Sequence, residues 1–381
     1  MKKMPKLIDM MSQLIATPSV SSAHANIDLS NEPVIDRLAN WLDGAGFSVR
    51  KQPVSEQKYN MIATIGGGSN GLVLSGHSDT VPCDEALWQS DPFTLSERDG
   101  LLYGLGSCDM KSFLAMAIQA STAFDFAKAA HPLTIVATAD EETTMAGARL
   151  LAEDENPLGK FCVIGEPTDL TPIREHKGII MEAIKFNGQS GHSSNPALGH
   201  SALEGMHEFI QALMEYRTRL QQQFHNSAFE VAEPTLNLGH IHGGDNPNRI
   251  CGECELHIDL RFLPGMQIAE LRDEIRQLAR RVASRRELDV SFIALLNGVP
   301  AMHTGSDSDL NEFLQQVTQR QSQSVAFGTE APFYNAMGTE TIVIGPGSIN
   351  QAHQPDEFLP VAQIEPTINL LKNLIQRYCF T

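Results

Sequence analysis

The chain of 381 residues contains no apolar run near the roughly 18 residues that a membrane helix needs, so no spanning segment is expected. Basic residues are scarce: 28 lysines and arginines stand against 46 aspartates and glutamates, a formal charge of −18. Such a surface repels phosphate backbones, which argues against nucleic acid as a partner. Cysteines are few, and Cys83, Cys108, Cys162, Cys251, Cys254 and Cys379 are too scattered for a disulfide framework. Reduced thiols in a cytoplasmic protein are the expectation. Two catalytic signatures are also missing: no G-x-x-x-x-G-K-[ST] occurs to cradle a nucleotide phosphate, and no G-x-S-x-G to build a serine nucleophile elbow.

Three other features resemble signals without meeting their requirements. Gly66, Gly68 and Gly71 have the G-x-G-x-x-G spacing, but a strand rather than a helix follows, which predicts a hairpin loop. Cys251, Cys254 and His257 suggest a zinc knuckle. A strand reaching that far would turn Cys254 away from the other two, so structural cysteines are expected. The N-terminus has two lysines ahead of an apolar stretch, as a signal peptide does, but Asp9, Ser12 and Gln13 interrupt it. Leu7, Met11, Leu14 and Ile15 instead follow helical spacing and predict an amphipathic first helix.

A chain of this length exceeds one ordinary core, so two domains are expected. From residue 60 to about 165, apolar strands (YNMIATIG, GLVLSGH, LTIVATA, FCVIGE) alternate with helices (MKSFLAMAIQASTAF, MAGARLLAEDE). ETIVIGPG and PTINLLKNLIQRY add a strand and a closing helix. That alternation implies an α/β layer with a largely parallel sheet. The middle reads strand (178–188), long helix (200–224), two strands (235–241 and 253–263), helix (268–283) and strand (287–295). Leu203, Met206, Ile210, Leu213 and Leu220 mark the buried stripe predicted for the long helix. Ile268, Leu271, Ile275, Leu278 and Val282 mark that of the second. In 253–263, Leu256, Ile258, Leu260 and Phe262 alternate with Glu255, His257, Asp259 and Arg261. This order is βαββαβ, a ferredoxin-like unit. The expected division is 1–177 with 298–381 for the α/β domain, and 178–297 for the inserted one.

Acids and imidazoles collect where the apolar runs stop. His77 ends one strand, Glu141 and Glu142 follow the next, Glu166 closes a third, and His353 lies beyond the last. Asp109 opens a helix. Open α/β sheets bind ligands beyond the carboxyl ends of their strands. So many carboxylates on one rim would repel each other without cations, and they exceed the needs of one ion. The residues therefore predict a metal site.

Six segments carry a resemblance: GHSDTVP (76–82), GSCDMKS (106–112), ADEE (139–142), IGEPT (164–168), GQSGHSS (188–194) and AHQPDE (352–357). In order and over essentially the whole chain, they resemble the dinuclear zinc aminoacylase/peptidase family M20. One position departs, with Ser112 where the family usually has glycine. The resemblance implies a largely parallel-sheet α/β metallohydrolase domain with an inserted ferredoxin-like (βαββαβ) dimerisation and lid domain. It implies two zinc ions per subunit, with cobalt as a substitute. His77 and Glu166 would hold one, Glu142 and His353 the other, with Asp109 bridging. Asp79 would orient the His77 imidazole, and a cis peptide would follow Asp109.

On the same resemblance Glu141 stays off the metals as general acid/base, and His192 reaches a partner's site across a homodimer as oxyanion donor. Asn248 and Arg261 would grip the substrate carboxylate, with Arg249 a weaker rival. Glu330, in GTEAPF, is the candidate for the substrate ammonium. The segments 235–266 and 345–357 look most like the branch that removes acetate from N2-acetyl-L-ornithine in arginine biosynthesis. A succinyl-diaminopimelate desuccinylase, an aminoacylase, a carboxypeptidase or an inactive binding protein are the alternatives.

Overall fold

The computed structural model describes residues 4–154 and 157–381. The two leading lysines and Glu155, the last residue of the predicted helix 145–155, fall outside the described residues. Along the chain the elements are α1 (Leu7–Ile15), α2 (Glu32–Gly44), β1 (Ser48–Pro53), β2 (Tyr59–Ile65), β3 (Leu72–His77), β4 (Ser96–Arg98), β5 (Leu101–Tyr103), α3 (Lys111–Ser121), β6 (Leu133–Thr138), α4 (Ala146–Glu153) and β7 (Phe161–Ile164). There follow β8 (Ile173–His176), β9 (Gly178–Asn187), α5 (Ala202–Gln223), β10 (Thr235–Gly243), β11 (Glu253–Phe262), α6 (Ile268–Arg286), β12 (Asp289–Val299) and β13 (Met302–His303). The chain ends with α7 (Asp309–Thr318), β14 (Gln323–Val325), α8 (Ala331–Ala336), β15 (Glu340–Val343), β16 (Phe358–Pro360) and α9 (Ile364–Cys379).

These elements form two units. The first takes the described residues up to Arg174, with Thr304–Gln323 and Thr329–Thr381; the second takes Glu175–His303 and Ser324–Gly328. In the first, β3, β6 and β7 are buried at every residue. Strands covered on both faces need continuous apolar runs, and parallel sheets with helices on either side provide that cover. The order β1-β2-β6-β3-β7-β15 has β6, β3, β7 and β15 parallel, with β1 and β2 antiparallel at one side. Leu14, Leu38, Leu114, Ile135, Val163 and Leu371 sit in its core, contributed by α1, α2, α3, α9 and the sheet.

The second unit is ferredoxin-like: β9, β10, β11 and β12 form a sheet in the order β10-β11-β9-β12, all antiparallel. β11 alternates as its sequence requires, burying Leu256, Ile258, Leu260 and Phe262. Ser201 caps α5 by accepting the Glu204 N–H at 3.3 Å, so the helix begins where the hydroxyl satisfies an otherwise orphaned donor. The buried stripe of α5 differs from the expected one. Leu203 is 49 % exposed and Ile210 only partly buried, while Met206, Phe209, Leu213, Tyr216 and Leu220 form the core face. In α6, Leu271, Ile275 and Val282 are buried as expected, with Ile268 and Leu278 partly so. β11 starts only at Glu253, so Cys251 is free of its alternation, and both Cys251 and Cys254 lie in this core. All six thiols are free. Among the described residues no helix is long and apolar enough to cross a membrane.

Candidate metal centre

Parallel strands in matching register finish together. His77 ends β3 opposite Thr138, which ends β6, and Ile164 ends β7 opposite Ser75. Asp140, Glu141 and Glu142 on one side and Glu166 on the other are thereby released at one rim. Gly165 is needed there, because a Cβ would fall 2.1 Å from the Phe113 ring. Asp109 precedes α3, and the Asp109–Met110 peptide is cis. His353 lies between β15 and β16, with left-handed backbone at φ 61°.

The side chains converge. Nε2 of His77 is 3.0 Å from Oδ1 of Asp109, and Nε2 of His353 is 3.6 Å from Oδ2 of the same carboxylate. His353 Nε2 also lies 2.9 Å from Glu142 Oε2. One carboxylate thus stands between two imidazoles, one oxygen toward each. His77, Asp109 and Glu142 offer ligand atoms that all lie within 4.8 Å of one another. Glu166 is buried against Asp109, and its Oε1 finds no protein partner. Nitrogen and oxygen donors around an orphaned buried oxygen suit divalent cations such as zinc or cobalt, so these residues fit a metal centre.

The electrostatics agree. Burial raises the carboxyls of Glu141 and Glu166 well above their ordinary range, and mutual repulsion adds to it. Burial and the nearby Asp109 raise Glu142 as well. Burial would lower His77, yet the hydrogen bond and charge of Asp109 hold it well above the usual imidazole value. Without cations the cluster keeps protons that a metal must displace, so metal uptake releases protons.

Asp79 and Glu330, expected in supporting roles, are both buried. Nδ1 of His77 meets the backbone carbonyl of Asp79 at 3.0 Å, while the Asp79 carboxylate is 3.9 Å away. The Asp79 carbonyl is thus the nearer partner of Nδ1, while Nε2 faces Asp109. Oδ2 of Asp79 instead accepts the Glu142 N–H at 3.2 Å. Glu330 is fully buried, with Thr138 Oγ1 donating to Oε2 at 2.9 Å. Burial pushes its carboxyl up to about 7.

Several residues around the rim escaped the sequence reading. Lys58 is buried, and its ammonium bonds Asp28 at 2.7 Å, the Leu29 carbonyl at 2.8 Å and Asp140 at 3.1 Å. It thereby fixes the residue immediately before Glu141. Lys111 donates to the carbonyls of Leu14 and Thr17, tying the start of α3 to the end of α1. Glu357 accepts backbone N–H groups from the loop that carries Asp109. The signal available for Glu357 was its place at the end of the AHQPDE segment.

In the second unit, the loops of His192 and Asn248 are joined: the Ser193 N–H donates to the Asn248 carbonyl at 3.0 Å, and Ile250 N–H to the Gly191 carbonyl at 2.8 Å. Both side chains are exposed or nearly so, and the His192 Nδ1 lies 2.8 Å from Ser194 Oγ. Arg249 is engaged by Asp245. Arg261, half-buried on the polar face of β11, donates from Nε to both oxygens of Asp259 at 3.0 and 3.2 Å.

A parallel-sheet domain with this acid–imidazole rim and an inserted ferredoxin-like unit defines a class of hydrolases. Residues 73–377 match peptidase family M20/M25/M40, and the chain belongs to that family. It is 48 % identical to acetylornithine deacetylase of Proteus mirabilis over 379 residues, covering 99 % of this chain and 98 % of that one. It is 46 % identical to acetylornithine deacetylase of Vibrio cholerae over 377 residues, covering 99 % and 100 %. Among solved structures, aminopeptidase PepT of Bacillus cereus superposes with a TM-score of 0.76 at 17 % identity, covering 99 % of each chain. The YxeP protein of Bacillus subtilis, a dinuclear metal-binding peptidase of the M20 family, superposes with 0.67 at 15 % identity, covering 98 % of each. At those identities the structures speak for the fold alone.

Proposed function

We propose that this protein is a metal-dependent amide hydrolase that converts N2-acetyl-L-ornithine and water into L-ornithine and acetate, a step of arginine biosynthesis. The observation that carries this reading is the near-full-length likeness to acetylornithine deacetylases at 46–48 % identity. The assembled cluster of His77, Asp109, Glu142 and His353 supports it. Asp109 would be shared by two metals, with His77 and Glu166 holding one, and Glu142 and His353 the other. Zinc is the expected metal, with cobalt as a substitute. A pair of such ions, when bound, lowers the pKa of a shared water and polarises the amide carbonyl.

The remaining steps belong to the chain's own side chains. Glu141 directly precedes Glu142, yet its carboxylate has no hydrogen-bond partner among the described residues. It takes the water's proton and delivers it to the departing amine nitrogen. Its raised pKa suits a group that must hold a proton between those two events. Arg261 and Asn248 hold the substrate's carboxylate, the arginine by a forked pair of hydrogen bonds after exchanging its Asp259 contact. His192 donates to the carbonyl oxygen as negative charge develops there, and it does so from the partner subunit of a homodimer. The enzyme works in the cytoplasm.

The test is a panel of N2-acetyl-L-ornithine, succinyl-diaminopimelate and dipeptides, assayed after chelation and again after zinc or cobalt is restored. Turnover is expected to be highest on acetylornithine, to vanish on chelation and to return with metal. Full activity of metal-free protein would overturn the metal reading. Preference for another substrate would overturn the specificity while leaving the chemistry.

A further inference from the structure

One buried carboxylate fastens two ligand-bearing segments to each other. Glu357 is 1 % exposed. Its Oε1 accepts the N–H of Cys108 at 2.7 Å and of Asp109 itself at 2.9 Å, and its Oε2 accepts the N–H of Gly106 at 3.1 Å. Its backbone carbonyl takes a fourth bond, from Gly104 N–H at 3.1 Å. On the other side, Glu357 stands four residues after His353 and leads directly into β16, where Phe358 pairs with Tyr103 of β5.

We propose that Glu357 is a positioning residue for the metal centre, setting Asp109 and His353 in register by clamping the 104–109 loop to the segment that ends at β16. The proposal rests on reading the cluster as a two-metal site. Asp109 has one oxygen toward each imidazole, so a small rotation of its peptide plane moves the carboxylate toward one ligand set and away from the other. The N–H of that plane is bound by Glu357. His353 depends on the same fastening from its other end. It is half exposed and sits in a segment with two left-handed residues, His353 and Asp356. Asp356 gives that segment a second anchor by accepting the Gln89 N–H at 2.9 Å.

A plain structural staple would hold only the fold of the loop. A positioning clamp holds the Asp109 peptide plane itself, here with both carboxylate oxygens on three N–H groups, which a side chain with one acceptor oxygen does not reproduce.

Glu357→Gln separates these readings. The amide keeps the shape but offers one acceptor oxygen, and its NH2 is set against a backbone donor. Wild-type and variant proteins, stripped of metal, are titrated with Co2+ and followed by visible absorption, with circular dichroism of the metal-free forms as a check on folding. Wild type is expected to take two equivalents. The folded variant is expected to bind at least one of them about 10- to 100-fold more weakly, the range for groups that orient metal ligands. Its absorption spectrum should shift, and kcat should fall while KM for acetylornithine changes little. If the amide variant does not fold, Glu357→Asp keeps the charge but withdraws it by one methylene, and the same loss is expected. A folded variant with wild-type cobalt affinity, stoichiometry and spectrum overturns this proposal alone. Wild-type protein that takes up no cobalt overturns the reading of the site, and this inference with it.

Discussion

Glu141 and Glu142 are chemically identical neighbours separated by what holds them. Glu142 is fixed at both ends, its N–H on Asp79 and its carboxylate on the His353 imidazole. Glu141 has no such tether, and burial raises its carboxyl above the ordinary range. Glu141→Gln is therefore expected to leave the metal content unchanged while lowering turnover by about 10²- to 10⁴-fold, the usual share of a general acid/base. Elemental analysis alongside kinetics checks this; metal loss in that variant would show the two roles reversed. His77, Glu142 and Glu166 were legible as ligand candidates because each closes or follows an apolar run, and Asp109 because it opens a helix. Glu357 was not, because its partners are backbone N–H groups about 250 residues away, and backbone donors carry no side-chain signature. Lys58 was hidden for a related reason: a lysine next to a strand normally reads as solvated surface, and nothing local announces that Asp28 and Asp140 enclose it.

Elements were readable in proportion to how strongly burial constrained them. β3, β6 and β7, buried along their length, left unbroken apolar runs. β11, covered on one face, left strict alternation. Among the described residues β1 (SVRKQP) pairs only with β2 and is mostly exposed, so its sequence carries neither pattern. In α5 the expected stripe favoured aliphatic residues, whereas the aromatic rings of Phe209 and Tyr216 occupy the core and Leu203 faces outward. Phe209 is fully buried and meets Phe186 edge-on at 5.7 Å between ring centres. Phe209→Ala is expected to cost about 3–5 kcal/mol. Leu203→Ser should stay within about 0.5 kcal/mol. Chemical denaturation of both variants tests the ranking, and an equal loss would mean the helix is docked by its other face.

At the scale of the molecule, the βαββαβ order of the middle segment gave the second unit its ferredoxin-like topology in advance, because six elements of that order have few compact arrangements. The boundaries were less legible. Ser324–Gly328 returns to the second unit after an excursion through the first, and so short a return has no periodicity of its own. A homodimer in which His192 serves a partner's centre makes a sharp prediction. His192→Ala and Glu141→Gln are each expected to be nearly inactive, but mixing them under conditions that exchange subunits should recover activity, because a mixed dimer contains one intact centre. Recovery that never exceeds the sum of the separate variants would place His192 in its own subunit's chemistry.

The order of the ligands along the chain also has a consequence for biosynthesis. His77, Asp109, Glu142 and Glu166 emerge from the ribosome early, whereas His353 and Glu357 are made after nearly all of the sheet. A nascent or truncated chain lacks both the second imidazole and the clamp on the Asp109 loop. On the proposed ligand assignment, the second of the two metal sites is therefore completed only when synthesis is almost finished.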